Sequence, residues 1–242
     1  MKAGGGKRLA IAFVLVAIWA AITLLGGLAQ AGQGSLEDLV SRQITWATPT
    51  AALFLLVSAW LLGWRDLGLN GPRPTRSIGH LWLLAIYIVA LGLLAVFTKT
   101  IPTEVLIFIT INTFFVGFSE ELAFRGVLWG AARKAMPFWA GVLFVSAAFG
   151  SIHILNTFIT GDLGGASFQA FNAFLSGLAY LALRVRTRSI VPIFIAHWLW
   201  DLAVFLNASN VQAGAGLIGA PPIPNDQVLQ YSITAAGRLD ST

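Results

Sequence analysis

Six ionisable residues lie in or against strongly apolar stretches of the chain: Glu120, Glu121, Arg125, His153, His197 and Asp201. Ionisable groups at such positions are functional candidates by default. Glu121 and Arg125 are four apart, as are His197 and Asp201, the interval that brings two helical side chains onto one face. Arg125 requires neutralisation by Glu121, because an unpaired buried charge is costly. Glu120 points about 100° away around the same helix and is left as the carboxylate available for chemistry. A carboxylate and an imidazole converging in a dry pocket can hold and deprotonate a water molecule, so the reaction class indicated is hydrolysis. A cleaved amide also needs donors for the developing oxyanion. His197, one turn from Asp201, is spaced to donate while that carboxylate orients it. No serine nucleophile elbow and no HExxH helix occurs, and the absence of Cys excludes thiol catalysis and Cys zinc sites.

These groups must be carried by membrane-embedded elements. Only 10% of the 242 residues are charged and 57% are hydrophobic, against roughly 25% and 45–50% in soluble domains. A span needs about 20 apolar residues, and the candidates are 9–31, 45–64, 81–97, 101–118, 138–155, 167–183 and 189–206. The expected fold is an all-α, polytopic transmembrane helix bundle of about seven spans, within limits of six to eight. Its expected organisation is an N-terminal hairpin with a cytoplasmic loop (1–80), a catalytic transmembrane domain (81–206) and a mostly disordered extracytoplasmic tail (207–242). The first span could be a signal peptide ending at Ala29-Gln30-Ala31, but its length favours an uncleaved anchor.

Lys2, Lys7, Arg8, Arg65, Arg73, Arg76, Arg133, Lys134, Arg184, Arg186 and Arg188 all fall on one side of an alternating chain. Only Arg42, Lys99 and Arg238 fall on the other, which places the N-terminus in the cytoplasm of a multi-pass protein, expected in the plasma membrane. Short basic clusters between apolar runs are topology signals, and no nucleic-acid partner is expected.

Depth tests whether the six residues can meet. Counting about 1.5 Å per residue from Arg188, His197 lies about 14 Å and Asp201 about 20 Å in, and His153 lies about 24 Å beyond Pro137. If the fourth helix stopped at Phe118, Glu120 would remain at the cytoplasmic surface. A helix running on to Arg133 instead puts Glu120 near 20 Å, level with the others. Hydropathy ends that helix early because the site residues depress the local score. Gly126 and Gly130 on this extension form a GxxxG spacing suited to close packing against a neighbouring helix.

Glu120-Glu121-Leu122-Ala123-Phe124-Arg125 fits EExxxR, Phe149-Gly150-Ser151-Ile152-His153 fits FxxxH, and His197-Trp198-Leu199-Trp200-Asp201 fits HxxxN/D. Three motifs in this order on separate apolar segments resemble the CAAX protease and bacteriocin-processing (CPBP, Abi, Rce1-like) family, over roughly 81–206. The resemblance implies a glutamate-type intramembrane endopeptidase, a family historically classed as metalloproteases, acting on a membrane-associated peptide or protein in the bilayer. It implies that Glu120 and His153 activate the water, that Glu121 and Arg125 form a structural pair, and that His197 and Asp201 line the oxyanion side. Asp201 departs from the Asn of the eukaryotic prenyl endopeptidases. An ionised Asp cannot donate to an oxyanion, so it must be protonated or act through His197.

Two other classes fit the same composition: a proton-coupled transporter, which also buries such groups, and a non-catalytic bacteriocin immunity or scaffold protein. No cofactor is expected. A divalent metal such as zinc, held by Glu120, His153, His197 and Asp201, is chemically possible but disfavoured. The substrate, and whether it is prenylated, stays open.

Overall fold

The computed structural model describes residues 4–98 and 101–217, and every element among them is helical. Lys2, Lys99, Arg238 and the tail from 218 onward lie outside the described residues. The ten α-helices are α1 (Gly5–Ala31), α2 (Leu36–Ser41), α3 (Ala47–Leu61), α4 (Trp82–Thr98), α5 (Thr103–Glu121), α6 (Trp129–Ala135), α7 (Phe138–Ile152), α8 (Thr157–Thr160), α9 (Leu163–Thr187) and α10 (Val191–Leu217). Six helical stretches are long and apolar enough to cross a membrane: Gly5–Gln30, Thr75–Phe97, Thr103–Ala135, Phe138–Thr160, Leu163–Thr187 and Val191–Val211. The seventh apolar helix, α3, has 15 residues, about 22 Å, and falls short of a hydrocarbon core of about 30 Å. The bundle is thus an integral membrane protein.

Helix boundaries follow local chemistry. Pro102 and Pro137 stand just before α5 and α7, where a missing N–H costs nothing. The Ser35 and Asp162 side chains accept the Asp38 and Gly165 amide hydrogens to cap α2 and α9. The end of α10 differs from the expected tail boundary, because the helix continues past Leu206 to Leu217.

The core is built from Trp19, Leu55, Phe124, Leu128, Phe149, Leu181 and Ile190, drawn from both ends of the chain. Helix α1 packs on α3 and α6, α5 on α10, and α7 on α9. Helix α4 packs chiefly on α10 and leaves most of its surface outward, as a lipid-facing helix should. Asn112 of α5 fixes the outer loop through four hydrogen bonds. Its Nδ2 donates to the Val40 and Gln43 carbonyls, and its Oδ1 accepts from the Thr45 amide and hydroxyl.

At the other end, the Asp66 carboxylate receives Arg8, Arg133 and Lys134, and Arg73 N–H donates to the Thr187 carbonyl. The basic clusters from four separate connections therefore gather at one end of the bundle. Burial opposes ionisation of Asp66, but hydrogen bonds from Lys134, Arg8 and Arg133 outweigh it and hold the carboxyl well below the usual range. A depressed folded-state pKa means that the stabilisation is present above the ordinary carboxylate value and is lost as pH falls below it. Asp66→Asn is therefore expected to lower the thermal midpoint in detergent at neutral pH, with the difference from wild type closing towards about pH 2. A pH-independent difference would show that the three cations do not act through charge.

Candidate functional site

Helix α5 does not end at the acidic pair. It passes through a π-helical turn, Leu122–Leu128, directly into α6, giving one continuous 33-residue span. The depth count required this continuity; the widened turn was not legible, because four-residue spacing is common to α and π-bulged helices. Such turns recur at functional positions, and every side chain in this one is buried. Of the Gly126–Gly130 pair, expected to pack against a neighbouring helix, Gly130 lies against Arg8 of α1 and Gly126 against Leu67 of the α3–α4 connection. A Cβ at either position would approach the Asp66-Leu67 connection or Arg8.

Two close helix contacts bring the site together. A Cβ on Gly117 would lie 3.0 Å from the Trp198 amide nitrogen, and one on Gly150 would lie 2.7 Å from the Ala170 carbonyl oxygen. The first contact seats α5 against α10 one turn from the acidic pair and beside His197. The second seats α7 against α9. Gly117→Val is expected to cost about 1–3 kcal/mol through overpacking and to lower any activity of the site at least tenfold. Gly92→Val on α4, where an added Cβ would meet no atom of another element within 4 Å, is the control, and equal unfolding midpoints for the two variants would refute the packing role of Gly117.

Arg125 Nη1 donates to Glu121 Oε1 at 3.0 Å within a fully buried ion pair. The guanidinium lies 4.0 Å over the Phe149 ring and 5.4 Å from that of Tyr180, so two aromatic faces supply further electrostatic support where water is excluded. The same Glu121 oxygen lies 2.9 Å from His197 Nδ1. An ionised carboxylate only accepts, so the proton of this bond belongs to Nδ1. His197 Nε2 then faces Asp201 Oδ2 at 3.5 Å and Glu120 Oε2 at 3.7 Å, ion-pair contacts longer than hydrogen bonds.

The geometry redistributes one expected task. Asp201 was spaced to orient His197, yet the short hydrogen bond that fixes the imidazole comes from Glu121, across the α5–α10 contact. Asp201 and Glu120 instead flank Nε2.

His153 begins a 3₁₀ segment, His153–Asn156, at the end of α7. Its Nδ1 lies 2.8 Å from the Phe149 carbonyl oxygen, which can only accept, so Nδ1 carries the proton and Nε2 of the neutral ring is the acceptor. Phe149 meets the His153 ring edge-on at 5.0 Å and the His197 ring at 6.2 Å. Phe149 thus underlies Arg125, touches both imidazole rings and accepts a hydrogen bond from His153 through its own carbonyl. Glu120, Glu121, Arg125, His197 and Asp201 form one contact set, and His153 adjoins it through its contact with Phe149, which also touches His197.

Several participants escaped the sequence reading. Tyr180 lies tilted against His197 at 5.3 Å, Trp19 Nε1 donates to Ser119 Oγ beside the acidic pair, and Arg184 Nε donates to the Arg125 carbonyl at 3.2 Å. Arg184 counted as a loop charge but is buried. Single aromatic and basic residues in helices carry no spacing signal that could have marked them. Among the described residues, no group of three or more His, Asp or Glu side chains is arranged to hold a metal ion.

Residues 102–203 match the family described as type II CAAX prenyl endopeptidase, Rce1-like. This segment is similar to that family. The match runs from just before α5 into α10 and encloses all three motifs, whereas α1 to α4 lie outside it. No curated protein and no solved structure matches the chain. The match covers less than half of the chain, and the family's description is of a prenyl endopeptidase.

Proposed function

We propose that this protein is a multi-pass plasma-membrane endopeptidase, with its N-terminus in the cytoplasm, that hydrolyses a peptide bond of a membrane-associated protein or peptide with a water activated by Glu120 and His153. The observation that carries this reading is the orientation of His197, which is held by Glu121 through Nδ1 and turns Nε2 towards Glu120 and Asp201. Glu120 removes a proton from water while His153 Nε2 accepts its other hydrogen as a hydrogen bond. The water oxygen attacks the scissile carbonyl carbon. Doubly protonated His197 donates Nε2–H to the resulting oxyanion, with the neighbouring carboxylates balancing its charge. As the C–N bond breaks, Glu120 returns its proton to the leaving amine. Arg125 acts as a positioning residue through Glu121.

The test uses purified protein in liposomes with a palmitoylated peptide library as the probe. Cleavage is expected to persist in the presence of a metal chelator. Activity lost on chelation and restored by zinc would contradict the proposed water activation.

A further inference from the structure

We propose that the basic end of the bundle binds the phosphoryl headgroup of an anionic phospholipid of the cytoplasmic leaflet, through Arg8, Arg133, Lys134 and Arg184 gathered around Asp66. This place is separate from the Glu/His cluster, and the proposal does not depend on the peptidase reading.

Charge is unbalanced here. Arg8, Arg133 and Lys134 all reach the Asp66 carboxylate, the last two at 2.9 and 2.8 Å, so one negative charge faces three positive ones. Arg184 adds a fourth. It is only 6% exposed, and its Nε donates to the Arg125 carbonyl. Among the described residues it forms no ion pair, and neither Nη takes part in a hydrogen bond. Arg133 repels it and Asp66, already shared among three cations, attracts it. A guanidinium buried to this extent without a carboxylate partner is costly unless an anion completes its surroundings.

The backbone is shaped to bring these cations together. Gly68 has a φ of +83°, and a Cβ there would overlap the Arg184 guanidinium. A Cβ on Gly130 would lie 3.3 Å from Arg8 Nη2 and 4.0 Å from Asp66 Oδ1. The two glycines thus let the 64–68 connection settle among α1, α6 and α9. Arg133 and Lys134 stay accessible, with side chains 41% and 45% exposed, and Arg184 is the buried member of the set.

The surroundings indicate a lipid as the source of the anion. The Arg8 guanidinium lies 4.4 Å over the Trp64 ring, and tryptophans at span ends sit at the level of the headgroups. Trp139 and Leu143, four residues apart on α7 and shortly after Lys134, are both largely exposed, which offers an apolar face to an acyl chain. A free phosphate would make no use of that face. The excess of positive charge marks this end as cytoplasmic, where basic pockets between transmembrane helices suit anionic headgroups. Occupation would also reach the π-helical turn, because Arg184 holds the Arg125 carbonyl and α6, which carries Arg133 and Lys134, continues from that turn.

The test offers purified full-length protein in detergent equal amounts of phosphatidylglycerol and phosphatidylcholine and counts the lipids retained by native mass spectrometry. Wild type is expected to retain phosphatidylglycerol preferentially. Arg133→Gln/Lys134→Gln, which alters two accessible side chains, should reduce that preference about tenfold or more, and Arg184→Gln should reduce it as well; the double variant decides if Arg184→Gln does not fold. Arg73→Gln/Arg76→Gln removes the same charge from exposed positions of the same end and should leave the preference within about twofold, since neither residue contacts Asp66. Equal losses in the two double variants, or no preference in wild type, would overturn the proposal. In a second arm, phosphatidylglycerol is expected to raise the unfolding midpoint of wild type by about 2–4 °C but not that of Arg133→Gln/Lys134→Gln, with phosphatidylcholine and inorganic phosphate without effect. An equal rise with inorganic phosphate would refute a lipid as the occupant.

Discussion

Glu120→Gln is expected to reduce peptide cleavage about 10²–10⁴-fold, the range typical for loss of a positioned general base, with the unfolding midpoint changed little. The amide keeps the size of the carboxylate and can still meet His197 Nε2, 3.7 Å away, but cannot take a proton from water. Glu120 is also partly exposed, so the change leaves no fully buried partner without compensation. His153→Ala should fall in the same range, because it removes the acceptor Nε2 that the Phe149 carbonyl sets in place. If the two residues act on one water, the double variant should lose little beyond the worse single variant. Multiplicative losses would separate them into independent roles.

Arg125→Leu is expected to be the most destabilising single change at the site, at about 3–5 kcal/mol, the range for removing one partner of a buried ion pair. The guanidinium is enclosed by Glu121, Phe149 and Tyr180, and Leu would leave the Glu121 carboxylate buried with His197 as its remaining charged partner. Arg125→Lys keeps the charge but not the planar group that stacks on the rings, so it should restore only part of the stability. Activity should fall with both variants, because Glu121 holds His197. Glu121→Gln separates the effects: its amide oxygen still accepts from His197 Nδ1 and from Arg125, but neutralises neither. Thermal unfolding and cleavage measured on the same preparations decide the matter, and an Arg125→Leu variant with wild-type stability would disprove the role of the pair.

The fold class could be read from apolar runs, since a bundle in lipid must satisfy its backbone within helices. The continuity of Thr103–Ala135 could be read only by demanding that Glu120 reach the depth of His153 and His197, against the hydropathy profile. Spacing captured contacts within one helix, such as Glu121 with Arg125. It could not show that Glu121 also holds His197, because that distance depends on how closely α5 approaches α10, which Gly117 permits. Tyr180 and Trp19 stayed hidden for the same reason, as their contacts cross between helices. The extent of α10 to Leu217 was also missed, because hydropathy declines before the helix ends.

If Glu120 makes this site a peptidase, its loss must remove specific cleavage products from the membrane. The most direct measurement compares new peptide termini in membranes from cells expressing wild type or Glu120→Gln at equal abundance, by quantitative mass spectrometry. A discrete set of termini is expected in the wild type, depleted at least tenfold in the variant. The same set at equal intensity in both would contradict that role of Glu120.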